Sequence, residues 1–211
     1  MIAVIDYGMG NLRSVSKALE RVGAEVEVTS QPERIATAAA VVLPGVGAFR
    51  RCMENLEAAG LVDSVKEAAG SGKPFLGICV GMQILFKESL EFGHVPGLGI
   101  LPGRVVPLRP KQKGLKVPHM GWNKVHLTQR PPILKGVPDA ARVYFVHSFY
   151  VDCDIERLAA TTTHYGLTFA SSVVSGNLFA TQFHPEKSQA VGLRLLENFA
   201  ALSAGGQGAP R

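Results

Sequence analysis

A cysteine, a histidine and a glutamate stand in this chain in contexts that could support covalent catalysis. The pentapeptide Gly77-Ile-Cys79-Val-Gly81 follows an apolar run, Phe75 to Ile78, and leads into a helix-like pattern. A Gly-x-nucleophile-x-Gly segment between a strand and a helix is the setting of a nucleophile elbow. Its glycines permit a sharp turn and a close approach of neighbouring backbone. The turn lifts the sulfur to the carboxyl end of the strand, and the next helix points its free N–H groups at it. A thiolate, the reactive form of cysteine, is favoured in such a place. The Val80 N–H is then available to hold an oxyanion. Cys52 falls in a helical pattern and Cys153 in a polar turn. Without a comparable context, each reads as a small buried hydrophobe.

A base and its orienter follow from Phe183-His184-Pro185-Glu186, at the end of the apolar run Leu178 to Phe183. Residues two apart in an extended segment face one side. The spacing therefore predicts that the Glu186 carboxylate holds one imidazole nitrogen of His184 and leaves the other to serve Cys79. Pro185 keeps His184 extended. Nucleophile, base and orienter make a triad. Alone, His-Pro-Glu would read as a surface turn; the elbow gives it meaning. Leu43-Pro44-Gly45-Val46-Gly47 closes another apolar strand. Two glycines around one valine predict a mobile loop at the carboxyl edge of the sheet, with the Val46 N–H as second oxyanion donor. Gly8-Met-Gly10 has Arg13 where a dinucleotide fingerprint needs its third glycine, which excludes that motif. His94, His119, His126, His147 and His164 show no ligand spacing, so no metal is expected.

The elements that must position these residues alternate in the first half. Short apolar runs at Ile2–Ile5, Val26–Val28, Val41–Leu43 and Phe75–Ile78 read as strands. Leu12, Val15, Leu19 and Val22 recur at helical spacing until Gly23, and residues 47–59, 61–69 and 81–90 also read as helices. This alternation predicts an α/β fold, a mostly parallel open sheet flanked by helices. Beyond residue 100 the pattern changes to short β-like runs separated by Pro and Gly, such as 142–146, 158–163 and 178–183. These predict additional antiparallel strands, in the main sheet or in a small side sheet. A last helix is expected over 189–202. The reading is one domain over residues 1–202 and a disordered tail over 203–211.

Composition narrows the function class. The 211 residues are 46% hydrophobic and 18% charged, which suits a globular domain with a sizeable core. The net charge of +5 raises the question of nucleic acid. The densest basic stretch, Arg109-Pro-Lys-Gln-Lys113, is short and reads as a solvated loop, so no nucleic-acid partner is expected. Three cysteines without a Cys-x-x-Cys pair fit neither a disulfide framework nor a zinc site. No secretory leader or membrane-spanning run is evident, so a cytoplasmic location is expected.

Three classes compete: a glutaminase subunit that needs a partner, a stand-alone cysteine hydrolase or peptidase of similar fold, and a catalytically dead binding module, against which the intact Cys79, His184 and Glu186 set argues. Together, however, Pro44-Gly-Val-Gly-Ala-Phe49, Gly77-Ile-Cys-Val-Gly-Met-Gln83 and His184-Pro-Glu186 resemble the class I, triad-type glutamine amidotransferases. Further segments look like the glutaminase subunits of imidazole glycerol phosphate synthases: Asp6-Tyr-Gly-Met-Gly-Asn-Leu-Arg-Ser-Val15, Pro118-His-Met-Gly-Trp-Asn123, Val146-His-Ser-Phe-Tyr150 and His184-Pro-Glu-Lys-Ser188. The likeness runs from residue 1 to about 202. Val80 stands where Leu is commoner. The resemblance implies that Cys79, His184 and Glu186 form the triad. Gly47 and Gln83 would help hold glutamine, and Ser148, Phe149 and Tyr150 its amino acid end. It also implies a cyclase partner with a (β/α)8-barrel, an interface drawing on Asn11, Trp122 and Lys187, and no cofactor.

Overall fold

The structure, a computed structural model, describes residues 1–112 and 114–205. The first half alternates as β1 (Ile2–Ile5), α1 (Leu12–Arg21), β2 (Val26–Thr29), α2 (Pro32–Thr37), β3 (Ala40–Gly45), α3 (Phe49–Ala58), α4 (Val62–Gly70) and β4 (Phe75–Cys79). The rest continues as α5 (Val80–Gln83), β5 (Phe86–Ser89), β6 (Val95–Pro96), β7 (Leu101–Pro107), β8 (His119–Leu127), β9 (Ala141–His147) and β10 (Phe149–Asp152). It closes with α6 (Ile155–Leu158), β11 (Ala159–His164), β12 (Thr168–Ser175), β13 (Leu178–Thr181) and α7 (Gln189–Gly205).

Every residue of β1, β3, β4 and β13 is buried. Such continuous apolar runs belong to central strands covered on both faces. Among the described residues the main sheet has the order β2-β1-β3-β4-β13-β12-β11-β8-β9. The first five of these run parallel, and β12, β11, β8 and β9 follow antiparallel. A second sheet has the order β10-β7-β5-β6. The late strands thus do both things the sequence allowed: some extend the main sheet and others build a side sheet. α1 packs on α7, and α2 on α4. Phe49, Phe75, Phe145, Phe169 and Phe199 are fully buried, and each contributes about 1.5–3 kcal/mol by leaving water. No helix among the described residues is long and apolar enough to cross a membrane.

Two expectations need correction. The helix expected over 81–90 is a single turn, α5, and Phe86–Ser89 is a strand of the side sheet. Tertiary partners take the backbone groups that a longer helix would use: Leu98 N–H donates to Ile84 O at 2.8 Å, Gly97 N–H to Lys87 O at 2.8 Å and Gly99 N–H to Phe86 O at 3.1 Å. Ser203–Gly205, assigned from sequence to a disordered tail, continue α7. The rest of that tail, residues 206–211, lies outside the described residues, as does Lys113 of the basic stretch.

Candidate active site

Cys79 ends β4 with φ 56° and ψ −111°, a backbone conformation that a non-glycine residue rarely adopts. Such strain costs on the order of 1–3 kcal/mol and persists where the surroundings over-determine it. The constraint comes from β3. A Cβ at Gly81 would lie 2.0 Å from Leu43 O, and a Cβ at Gly45 would lie 2.4 Å from Gly81 N. Cys79 pairs in register with Gly45, so the elbow and the end of β3 pack backbone against backbone. Gly45 is therefore a buried strand residue needed for close packing, not one side of a mobile loop. Gly47, with φ 86°, is the glycine that turns the chain. Tyr7, which sequence reasoning did not place in the site, is buried and donates to Pro44 O at 2.8 Å. Burial, with Cys52 and Cys79 nearby, holds its phenol well above the usual range, so it remains a donor.

The Cys52 thiol donates to Val46 O at 3.5 Å. Burial raises both Cys52 and Cys153 to about 11, which keeps these thiols protonated and inert.

His184 and Glu186 meet through Nδ1 and Oε1 at 2.8 Å, with side chains 2% and 0% exposed. The contact was expected from strand alternation, but its cause differs. His184 is extended, and Pro185–Lys187 then form one 3-10 turn that folds Glu186 back onto the ring. Ser188 Oγ locks that turn by donating to His184 O at 2.6 Å and accepting from Tyr144 N–H at 3.0 Å. His184 Nε2 is buried with no hydrogen-bond partner among the described residues, as is Glu186 Oε2. Burial opposes a charge on His184. The Cys79 sulfur and the Glu186 carboxylate outweigh it and raise the imidazole pKa above its ordinary value. That balance favours an imidazolium at His184. β13 makes the meeting possible: it inserts parallel to β4, pairing Thr181 with Ile78, and so delivers His184 to the elbow.

A cavity of about 420 Å³ opens over the sulfur, within the usual range of small-molecule sites. Its lining includes Val46, Gly47, Cys79, Val80, Gln83, Ser148, Phe149, His184 and Lys187. The structure thus brings most of the sequence-derived residues to one place. Tyr150 is absent from that lining; it pairs with Val106 in the side sheet, and its ring sits 5.7 Å from Phe169. The lining adds Glu91, whose carboxylate accepts from Phe49 N–H at 2.6 Å. Nothing in the local sequence marks Glu91, because it reaches the cavity through the unexpected strand β5. Gln182 was missed for a similar reason: fully buried beside β13, it places Nε2 3.8 Å from the Cys79 sulfur. A larger hollow of about 550 Å³, between Met1, Pro74, Ile133 and Phe199, contains none of the triad residues.

Three residues expected at an interface occupy different settings. Trp122 on β8 is 37% exposed, beside Met120 at 62%. Its ring meets Tyr144 edge-on at 6.2 Å, and Lys187 Nζ lies 5.7 Å from the centre of the same Tyr144 ring. Tyr144 thus links the exposed tryptophan to a lysine that lines the cavity. Asn11 precedes α1, which packs against the 185–187 turn.

A strained cysteine, an oriented imidazole and a cavity lined by both stand together at the carboxyl edge of an open α/β sheet, the arrangement that cysteine-dependent acyl transfer requires. The family model Glutamine amidotransferase class-I matches residues 3–202. This chain belongs to the class I glutamine amidotransferases, enzymes of the glutaminase type. At finer grain, it is 54% identical to the imidazole glycerol phosphate synthase subunit HisH of Geobacter metallireducens, covering 96% of this chain and 99% of that protein. The subunit of the same name from Moorella thermoacetica is 52% identical, with 95% and 94% covered. A solved glutamine amidotransferase superposes with a TM-score of 0.73 over 97% of this chain and all of the other, at 21% identity. PurLQS from Thermotoga maritima gives 0.71 at 18% identity, with 97% of each chain covered. At these identities the superpositions speak for the fold.

Proposed function

We propose that this chain is the glutaminase subunit of an imidazole glycerol phosphate synthase. Cys79 attacks the side-chain carboxamide carbon of glutamine. The tetrahedral oxyanion rests on the Val80 and Val46 N–H groups. The His184 imidazolium gives its proton to the departing nitrogen, which leaves as ammonia, and a thioester to Cys79 remains. Water attacks the thioester, neutral His184 takes its proton, and the sulfur leaves as thiolate with glutamate released. Glu186 keeps Nδ1–H of His184 pointed at its own carboxylate, so Nε2 carries the travelling proton.

Gly47, Gln83, Ser148 and Phe149 surround the substrate, and the Glu91 carboxylate suits its α-ammonium group. The observation that carries this reading is the positive-φ Cys79 opening, with His184, into one cavity. The names of the relatives above favour a synthase, and Asn11, Trp122 and Lys187 are the surface we assign to its (β/α)8-barrel cyclase. Ammonia would pass to a phosphoribulosyl-formimino nucleotide there, giving imidazole glycerol phosphate and an aminoimidazole carboxamide ribotide in histidine biosynthesis. We place the reaction in the cytoplasm, where free thiols such as Cys52, Cys79 and Cys153 persist. In the test, Cys79→Ala is mixed with the cyclase. Glutamine-dependent synthesis is expected to vanish while synthesis from ammonium salts survives. Retained glutamine use would overturn the nucleophile; loss of the ammonium reaction would overturn the division of labour.

A further inference from the structure

Two buried histidines take no part in the chemistry above. His119 on β8 and His147 on β9 are directly paired across the antiparallel ladder, and they are 3% and 6% exposed. His119 Nδ1 lies 2.9 Å from His147 Nε2, and His147 Nδ1 lies 2.9 Å from Phe149 O. Asn123 supplies the direction. Its Oδ1 accepts from Lys124 N–H at 2.8 Å, which leaves Nδ2 as the donor to His164 O at 3.0 Å and to His119 Nε2 at 3.2 Å. With Nε2 accepting, a neutral His119 carries its proton on Nδ1 and donates to His147 Nε2. His147 then carries its own proton on Nδ1 and donates to the Phe149 carbonyl. Tyr165 and Phe145 stack on His119 at 4.0 and 4.7 Å and hold its plane. Burial lowers His119 to about 4 and His147 to about 3, so both rings are neutral at ordinary pH.

The carbonyl at the end of this chain is shared. Phe149 O also accepts from Gln83 Nε2 at 3.1 Å, and the other Gln83 hydrogen goes to Gln182 Oε1 at 3.0 Å. Gln182 in turn points its amide nitrogen at the Cys79 sulfur. One run of hydrogen bonds therefore connects the interior of β8, beside Trp122, to the wall of the cavity and to the nucleophile.

We propose that His119 and His147 form a one-directional positioning relay that sets the Phe149 carbonyl and Gln83, and through them the seat of the substrate's amino acid end. Neither ring is hydrogen-bonded to the sulfur; His147 forms part of the cavity wall and His119 is absent from it. Their task is to present a donor, rather than a lone pair, to the Phe149 carbonyl. With His119 absent, His147 could hold its proton on Nε2, and two acceptors would then face each other at Phe149.

This inference rests on the glutaminase reading, so the test separates the two. Nitrogen-15 NMR of the full chain reports ring tautomers whatever the substrate. Both rings are expected as neutral Nδ1–H forms at pH 7.5, and an Nε2–H or charged form of either would overturn the relay. Glutamine hydrolysis is then measured for the full chain with its cyclase. In His147→Asn the amide nitrogen overlays Nδ1 and keeps the donor to Phe149. In His147→Gln the amide lies at the Nε2 position and the donor is lost. His147→Gln is expected to raise the KM for glutamine about tenfold, the scale of one buried hydrogen bond, with kcat within about threefold. His147→Asn should keep KM within about threefold of wild type. Equal KM values in the two variants would refute the relay. If His147→Gln does not fold, His119→Phe keeps the aromatic stack. It should turn His147 into a tautomer mixture and raise KM, and a pure Nδ1–H His147 with unchanged KM would refute the proposal. A wild type inert towards glutamine would sink the glutaminase reading while the NMR result still stands.

Discussion

Replacing Glu186 by glutamine removes a charge from the site without removing the hydrogen-bond acceptor. The native contact is 2.8 Å long, between side chains 0% and 2% exposed, so solvent screens it little. A glutamine carbonyl can still accept from His184 Nδ1–H and preserve the tautomer. What is lost is the charge assistance. Hydrogen bonds to charged groups are worth about 1.5–3 kcal/mol and neutral ones about 0.5–1.5 kcal/mol, a difference of roughly 1–2 kcal/mol. That difference predicts a fall in kcat of roughly 5- to 30-fold. His184→Ala removes the proton carrier itself and should cost at least about another tenfold. The pH profile carries a second signature. Burial disfavours the imidazolium, and Cys79 and Glu186 together overcome that to raise the His184 pKa. Without the carboxylate, the alkaline limb of kcat/KM should move to lower pH. The sign for stability follows from the same shift. A raised folded-state pKa stabilises the fold fully below the unfolded imidazole value of about 6.5, and this contribution fades as pH rises through the folded value. The wild type should therefore lose part of its thermal margin over Glu186→Gln on the alkaline side. Glutamate release by the complex, followed between pH 6 and 10 (an interval of about four units around those values), measures the kinetic part. Equal losses in well-folded Glu186→Gln and His184→Ala would refute the orienting role, and an unmoved alkaline limb would refute the origin of the shift.

Gly81→Ala should lower glutaminase turnover by about a hundredfold or more, because its Cβ would fall 2.0 Å from Leu43 O and displace the elbow; Gly70→Ala, on α4 with open space around it, is the control expected to be near neutral. Acid should weaken the fold through His119 and His147. Their folded-state pKa values are depressed to about 4 and 3 by burial, so protons taken up by the unfolded chain below about pH 6.5 cost stability as pH falls towards 4. Melting temperatures of His119→Phe across that window should fall less steeply than those of wild type, and parallel slopes would contradict the assignment. Trp122, the chain's single tryptophan, is 37% exposed. Its emission should shift to the blue on mixing with the cyclase, whereas an unchanged spectrum with proven binding would remove it from the interface.

The local parts of this protein were legible in its sequence. The apolar run with its two glycines, Phe75 to Gly81, specifies a strand and a sharp turn that carries a cysteine. The helical spacing of Leu12, Val15 and Leu19 and the buried runs of β1, β3 and β4 are likewise short-range patterns, which is why they could be read without a neighbour in view. The meeting of His184 with Glu186 was also legible, although a 3-10 turn rather than a strand produces it.

What only the tertiary structure decided is where distant backbone groups find partners. Nothing in Leu178–Thr181 says that it inserts beside β4, yet that placement carries His184 and Gln182 to the sulfur. Phe86–Ser89 has no local signature that separates strand from helix; hydrogen bonds from Gly97, Leu98 and Gly99 make it leave the helix, and Glu91 reaches the cavity as a result. Gly45 looks like a hinge in sequence and is a packing residue in space, because the atom that forbids a side chain there belongs to Gly81, 36 positions away. His119 and His147 show no ligand spacing, and only the β8–β9 register makes them a hydrogen-bonded pair. Sequence patterns report each residue's preference for water and for local dihedrals. Strand order, register and close backbone contact are properties of pairs far apart along the chain, and they exist only once the chain has folded.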